Sequence, residues 1–294
     1  MVRTVTVVLV AVLVGCTGEA VAPPAEPAGP TASPVPSGLP DPSAEIADER
    51  SALVRDLLAL DAALDASIAT WRTQGSPETW PPPDDVVYWA LHQQRTYQVL
   101  AGDADLRRGV ARDLPPNLAD EVRAIGLAGA RLTSGASPPS RTPRLDVTDP
   151  PPADVMRAHF EEAEARFGVE WELLAAVAFV ETRFGRVVSE SSAGAQGPMQ
   201  FLPGTWDAYG LGGDVHDARD AVLGAANYLS ASGAPRRERQ ALLRYNPSDR
   251  YADAVALYAA RMRRDESIYY AFYNWQVFVR SRAGRLLRLT GPGT

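Results

Sequence analysis

The chain has 294 residues, a formal net charge of −7 and a single cysteine, Cys16. Its length allows one large domain or two modest ones. The acidic balance argues against a nucleic-acid-binding protein, because no dense basic stripe offsets the acidic residues, and a lone cysteine excludes an intrachain disulfide.

The N-terminus carries an apolar run that follows Arg3 and ends in Leu13-Val14-Gly15-Cys16. Roughly ten apolar residues are too few to cross a bilayer as a mature helix. The end of the run resembles the lipobox of a bacterial lipoprotein signal peptide. Residues 1–15 are therefore predicted to be a signal peptide, and Cys16 to carry a lipid that anchors the protein outside the cytoplasm, in the cell envelope. An ordinary cleaved secretion signal is the alternative.

The region before the predicted catalytic part is divided by composition. Residues 16–44 are rich in Pro, Ala, Ser and Gly and are predicted to form a disordered tether. Apolar residues at helical spacing in residues 45–132 predict a small helical module without a chemical constellation, including one helix that starts with Asp84 as its N-cap and stops at Gly102. Residues 133–152 are predicted to be a linker.

Residues 153–294 contain the acid on which the interpretation depends. A helix is predicted to end at Gly185, with Glu181 on the apolar stripe formed by Leu174, Val177 and Phe184. Burial penalises a charged carboxylate and raises its pKa, and the C-terminal end of a helix acts in the same direction. Glu181 is therefore predicted to be a proton donor.

Three short segments in this region occur in a recognisable order. They are Glu181-Thr182, Gly197-Pro198-Met199-Gln200 and Arg244-Tyr245-Asn246. They resemble the Glu-Ser, Gly-Leu-Met-Gln and Ala-Tyr-Asn motifs of the lytic transglycosylase family with the goose-lysozyme-like fold. The resemblance implies an all-α, lysozyme-like catalytic domain.

The resemblance also implies an activity. Such enzymes cleave the bond between N-acetylmuramic acid and N-acetylglucosamine in peptidoglycan without water, with Glu181 as acid and then base, and leave a 1,6-anhydro end. No metal or cofactor is expected, and the implied partners are peptidoglycan strands and, through Cys16, the membrane. The implied substrate-binding residues are Thr182, Gln196, Met199, Gln200, Phe201, Tyr228, Tyr245 and Asn246.

Three details refine that assignment. The Tyr245 hydroxyl is expected to face the catalytic acid across the cleft. Thr182 stands where the family has Ser, and its hydroxyl is expected to bond Glu181 in the same way. Pro198 replaces Leu, which removes a backbone donor and stiffens the loop.

Two alternatives stay open. A lysozyme-type hydrolase would need a second carboxylate, for which Glu190 is the nearby candidate. A silent peptidoglycan-binding lipoprotein would keep the cleft without catalysis.

Two further segments have both a functional and a structural interpretation. Residues 212–217 are better explained as a turn feeding a helix cap at Asp217 than as a metal site. The aromatic and basic C-terminal extension, from residue 268 onward, could extend the glycan groove or contact an anionic polymer; a packed capping helix with a solvated basic end is favoured.

Overall fold

The fold is taken from a computed structural model that describes residues 35–135 and 139–294. The described residues form eleven helices and one small sheet, which confirms the predicted all-α class. The predicted signal peptide and Cys16 lie outside them. The helices are α1 Arg50–Gln74, α2 Asp84–Gly102, α3 Ala104–Asp113, α4 Pro116–Thr133, α5 Ala153–Phe167, α6 Trp171–Thr182, α7 Pro203–Tyr209, α8 Ala218–Ala231, α9 Glu238–Tyr245, α10 Asp249–Arg264 and α11 Ser267–Tyr273, and the strands are β1 Phe278–Arg280 and β2 Leu286–Arg288.

Several helix ends follow from local chemistry. The Glu49 side chain accepts hydrogen bonds from the backbone N–H groups of Ser51 and Ala52, and α1 starts directly after it. Asp84 is the first residue of α2 rather than its cap, because Pro83 occupies the cap position. The left-handed Gly168 ends α5.

One continuous core spans both sides of the predicted linker. Helix α4 packs on α10, and α1 and α2 both contact α11. The linker itself pairs with the chain after α6, where the Thr148 N–H donates to the Arg186 carbonyl and the Val188 N–H donates to the Asp146 carbonyl. The boundary at residues 133–152 therefore marks a change of composition and not a gap in packing.

Part of the predicted tether is attached to this core. Arg95 on α2 donates to the backbone carbonyls of Pro42 and Ala44. The composition of this segment did not predict these hydrogen bonds, because their acceptors are backbone carbonyl groups, which every residue has. No helix in the described part of the chain is both long enough and apolar enough to cross a bilayer.

The C-terminal extension divides into a buried and an exposed part. The aromatic rings of α11 and the following Trp275 are buried, which agrees with the packed interpretation. Phe272 stacks on Phe179 of α6, with ring centroids 4.7 Å apart. The predicted capping helix corresponds to α11, and after Tyr273 the chain turns into the antiparallel hairpin β1–β2.

Candidate active site

The catalytic candidate sits at the end of a fully buried helix. Ten of the twelve residues of α6, from Leu173 to Thr182, are buried, so this helix is apolar on all sides and is surrounded by α5, α8, α10 and α11. Glu181 is the penultimate residue of α6 and is 7% exposed. The core therefore fixes the backbone that carries this carboxylate.

Helix α6 ends three residues earlier than predicted, at Thr182 rather than Gly185. Arg183, Phe184 and Gly185 all have positive φ, at 56°, 60° and 89°. Two of these are not glycine, and a non-glycine residue in this region costs about 1–2 kcal/mol. Phe184 is held there by burial against the rings of Phe160 and Phe179. The chain thus turns sharply immediately after the acid.

Burial sets the protonation of Glu181. Removal from solvent raises the pKa of its carboxyl group to about 7, and a hydrogen bond from the Tyr251 hydroxyl to Oε1, at 2.7 Å, acts in the opposite direction. Among the described residues no neighbouring charge contributes to the shift. Near neutral pH this acid can both give up and take back a proton.

Tyr251 is the phenol that is hydrogen-bonded to the acid, and Tyr245 also lies near it, since burial and the charge of Glu181 raise the pKa of Tyr245. Tyr251 lies in the first turn of α10, where Ser248 caps the helix. The Tyr245 hydroxyl instead donates to the Met199 carbonyl at 2.6 Å. Sequence spacing along α10 does not reveal a contact between Tyr251 and a residue of another helix.

The Thr182 hydroxyl holds the loop rather than the acid. It donates to the Pro198 carbonyl at 2.6 Å and accepts from the Gly185 N–H at 2.9 Å. The expected bond from Thr182 to Glu181 is therefore wrong. The hydroxyl ties the end of α6 to the loop that carries Met199 and Gln200.

That loop, residues 196–201, is closed on itself. Gln196 and Phe201 exchange two backbone hydrogen bonds of 2.9 Å. Gly197 has φ 70°, and a Cβ there would lie 1.8 Å from the Val215 carbonyl oxygen, so only glycine fits. Gln200 also has a positive φ, and its side-chain Nε2 donates to the Gly197 carbonyl. Its Oε1 accepts no hydrogen bond within the described residues.

The predicted substrate-binding residues differ in how much surface they offer. Met199 and Phe201 are buried, so their side chains offer a ligand little surface. Asn246 is also buried. Gln196 donates through Nε2 to Glu190 Oε1 at 2.7 Å on the exposed side of the loop. Their proposed roles in binding stay predictions.

Partly exposed rings continue outward from Tyr245. The Tyr228 ring lies 5.6 Å from Tyr245 and 4.6 Å from Tyr209, and the Tyr228 hydroxyl donates to the Arg244 carbonyl at 2.7 Å. The structure therefore brings Tyr228 and Tyr245 into one row of rings beside the loop.

The N-terminal helices also reach the acid. A cavity of about 250 Å³ is lined by Glu181 together with residues of α2, α4 and β1 and with Leu286 of β2. Its wall is mainly apolar and includes Ile125 and Leu132 of α4, but not Gln200 or Tyr245. The sequence indicated no site residue in α4, because apolar residues at helical spacing look the same whether they pack in the core or line a cavity.

The predicted turn at residues 212–217 is confirmed. Asp217 accepts from the Asp220 N–H as the cap of α8, and Asp220 in turn accepts from the Asp214 N–H. Within the part of the chain that the structure describes, no group of three or more His, Cys, Asp or Glu residues is placed to hold a metal ion.

Comparisons with known proteins agree with the family resemblance. Residues 158–250 match the family described as Transglycosylase SLT domain, which confirms the resemblance seen in the three motifs. A 75-residue segment is 37% identical to membrane-bound lytic murein transglycosylase F of Thiobacillus denitrificans (strain ATCC 25259 / T1) and covers 26% of this chain. It spans only 16% of that relative. No solved structure matches the chain.

Proposed function

We propose that the chain, whose residues 158–250 form a transglycosylase SLT domain, is a lytic transglycosylase that cleaves peptidoglycan glycan strands. The observation that carries the proposal is the buried Glu181, with a pKa near 7 and a tyrosine hydroxyl as its hydrogen-bond partner. A cleavage that uses one carboxylate twice needs a group of this kind. The name of the matched relative supports the substrate class.

The proposed reaction has two proton transfers. Glu181 gives its proton to the oxygen of the bond between N-acetylmuramic acid and N-acetylglucosamine as that bond breaks. The resulting carboxylate then takes the proton of the muramic C6 hydroxyl, whose oxygen closes onto C1. The ring that forms is a 1,6-anhydro sugar, and water is not consumed. Gln200, with its free acceptor, and Tyr245 are proposed to position the sugar.

The position of Glu190 favours this route over hydrolysis. A retaining or inverting hydrolase places its second carboxyl group about 5–10 Å from the acid. The pKa of Glu181 is raised by burial, and among the described residues no second carboxylate contributes to that shift. Glu190 is exposed and bonded to Gln196.

Product mass tests the reaction. Purified protein is incubated with peptidoglycan, and the soluble muropeptides are analysed by mass spectrometry. Anhydro ends, one water lighter than hydrolytic ends, are expected from the wild type and from Glu190→Gln, while Glu181→Gln releases almost none. Hydrolytic ends that disappear in Glu190→Gln would establish the lysozyme-type alternative. Equal, negligible release by wild type and Glu181→Gln, with both bound to the wall, would establish the silent binder.

We also propose that the protein acts in the cell envelope, attached to the outer face of a membrane through a lipid on Cys16. The lipobox-like sequence and the membrane-bound relative support this. Cys16→Ala, expressed in a bacterium that processes lipoproteins, is expected to leave the membrane fraction. Incorporation of labelled palmitate by the wild type but not by Cys16→Ala is the direct measurement, and equal labelling of both would contradict the anchor.

A further inference from the structure

The end of the chain has a charge unlike the rest. The whole protein has a net charge of −7, yet residues 274–294 contain four arginines and no acidic residue. Within the described part of the chain, none of these arginines pairs with a carboxylate. Their charge is therefore available to an external anion. The four are Arg280, Arg282, Arg285 and Arg288.

The hairpin holds two of these arginines at its tip. The Ser281 N–H donates to the Arg285 carbonyl at 2.7 Å, and the Arg280 guanidinium donates to the Gly284 carbonyl at 3.0 Å. These bonds close the turn between β1 and β2. Arg282 and Arg285 project from it and are exposed.

Neighbouring segments add to the positive charge. The Arg282 N–H donates to Thr142 Oγ1 at 3.2 Å, which places the exposed Arg141 and Arg144 beside the tip. On the other side, Arg288 lies near Arg95 of α2. Burial, and to a lesser degree the charge of Arg95, lowers the pKa of Arg288.

Exposed leucines stand beside the charges. Leu286 and Leu287, the first two residues of β2, are 43% and 37% exposed. Adjacent residues of a strand point to opposite faces, so each face of β2 carries one exposed leucine. A tip that combines guanidinium groups with exposed leucines fits an interface that is anionic outside and apolar inside.

The tether enters the structure on this side of the molecule. Pro36 shares a cleft with Trp80 and with residues 290–294, which follow β2 closely. Trp80 is 38% exposed, and indole rings favour the headgroup level of a bilayer. The stretch between Cys16 and residue 35 reaches up to about 60 Å when extended, so it does not prevent contact between the hairpin and a membrane.

We propose that the β1–β2 hairpin is a membrane-contact surface that binds anionic phospholipids. Arg282 and Arg285 contact the lipid phosphates, which guanidinium groups bind in a bidentate manner, and Leu286 and Leu287 enter the interface. The leucines favour a bilayer over a soluble anionic polymer, because such a polymer offers no apolar layer. This contact is separate from the lipid on Cys16. Leu286 also lines the cavity beside Glu181, so the test below changes Leu287 and leaves Leu286 in place.

Vesicle sedimentation tests the contact. Residues 17–294 keep every described residue and omit both Cys16 and the apolar leader. This protein is mixed with phosphatidylcholine vesicles with or without roughly 30 mol% phosphatidylglycerol. Binding to the anionic vesicles is expected to fall about 10–30-fold in Arg282→Ser/Arg285→Ser and about 5–10-fold in Leu287→Ser. The matched control, Arg236→Ser/Arg237→Ser in the loop between α8 and α9, makes the same charge change and is expected to bind within about twofold of wild type.

Three outcomes would overturn the proposal. The first is wild-type protein that shows no preference for anionic vesicles. The second is a loss of vesicle binding in the control variant equal to that in Arg282→Ser/Arg285→Ser. The third is a leucine variant that binds vesicles like wild type while polyphosphate competes fully for binding. The last result would assign the hairpin to soluble polyanions. Muropeptide release by the same variants from isolated peptidoglycan is expected to be unchanged, so failure of this proposal is distinguishable from failure of the catalytic one.

Discussion

Burial raises the pKa of two glutamates in this molecule whose surroundings differ. Burial raises the pKa of both Glu181 and Glu121 to about 7, and each accepts a hydrogen bond from a tyrosine, Tyr251 or Tyr97. Glu121 also faces the Arg261 guanidinium at 3.5 Å, whereas among the described residues Glu181 has no cation beside it. Only Glu181 lines the cavity described above. A raised pKa alone therefore does not identify the catalytic group.

The largest expected effect separates the two residues by function. Glu181→Gln is expected to reduce muropeptide release by about 10²–10⁴-fold, the usual contribution of a general acid, and to keep the fold. Glu121→Gln is expected to lower stability, because it leaves Arg261 without its partner, and to keep the activity of each folded molecule. Release assays normalised to folded protein by circular dichroism check both. An inactive but folded Glu121→Gln would remove the distinction.

Arg261 tests the structural half of the comparison. Arg261→Met is expected to lower the free energy of unfolding by about 3–5 kcal/mol at pH 8, since the charged form of Glu121 then lacks its buried counterion. At pH 5 Glu121 is protonated in both proteins, so the loss is expected to be smaller. Urea unfolding at the two pH values measures this. Arg264→Met, an exposed arginine on the same helix, is the control and is expected to change stability by less than about 0.5 kcal/mol.

Glu181 itself is expected to limit stability at high pH. Its folded pKa of about 7 lies above the ordinary value of 4.5, so the stability that its protonated form contributes is complete below pH 4.5 and is lost as the pH rises through 7. Glutamine has no proton to lose. Glu181→Gln is therefore expected to be more stable than wild type by about 1–3 kcal/mol at pH 8 and nearly equal to it at pH 4.5. A constant difference across this range in chemical denaturation would contradict the assigned pKa.

The smallest effect concerns the two tyrosines near the acid. Tyr251→Phe removes the hydrogen bond that lowers the pKa of Glu181, so the alkaline limb of the activity profile is expected to move up by about one pH unit. Tyr245→Phe releases the loop at Met199 and is expected to lower the rate without moving that limb. A shift in Tyr245→Phe and none in Tyr251→Phe would reverse the two assignments.

The helices were predictable because their signals are local. Apolar spacing and a glycine stop predicted α2, and Asp217 predicted the cap of α8, close to their observed positions. The hairpin was missed because each strand has three residues, too few to establish an alternating pattern. The early end of α6 was missed because two non-glycine residues adopt left-handed conformations there, which only the packing of Phe184 explains.

The sequence predicted which residues lie together at the site but not which hydrogen bonds they form. Order and spacing of the motifs brought Glu181, Met199 and Tyr245 into one region, as the structure does. Which hydroxyl reaches which oxygen depends on how α6, α9 and α10 cross, and sequence spacing along one helix does not specify that. Three features depend on these crossings and were not predicted. They are the hydrogen bond from Tyr251 to Glu181, the hydrogen bond from Thr182 to Pro198 and the burial of the Met199 side chain.

The shared core has a consequence for dissecting the protein. The family match ends at residue 250, but the phenol bonded to Glu181 lies one residue later, and α4 supplies part of the wall beside that acid. A fragment cut at the matched boundaries would lose the hydroxyl that tunes the acid and leave the flanks of α6 in water. A fragment that keeps the surroundings of Glu181 therefore has to include α4, α10 and α11 in addition to the matched segment.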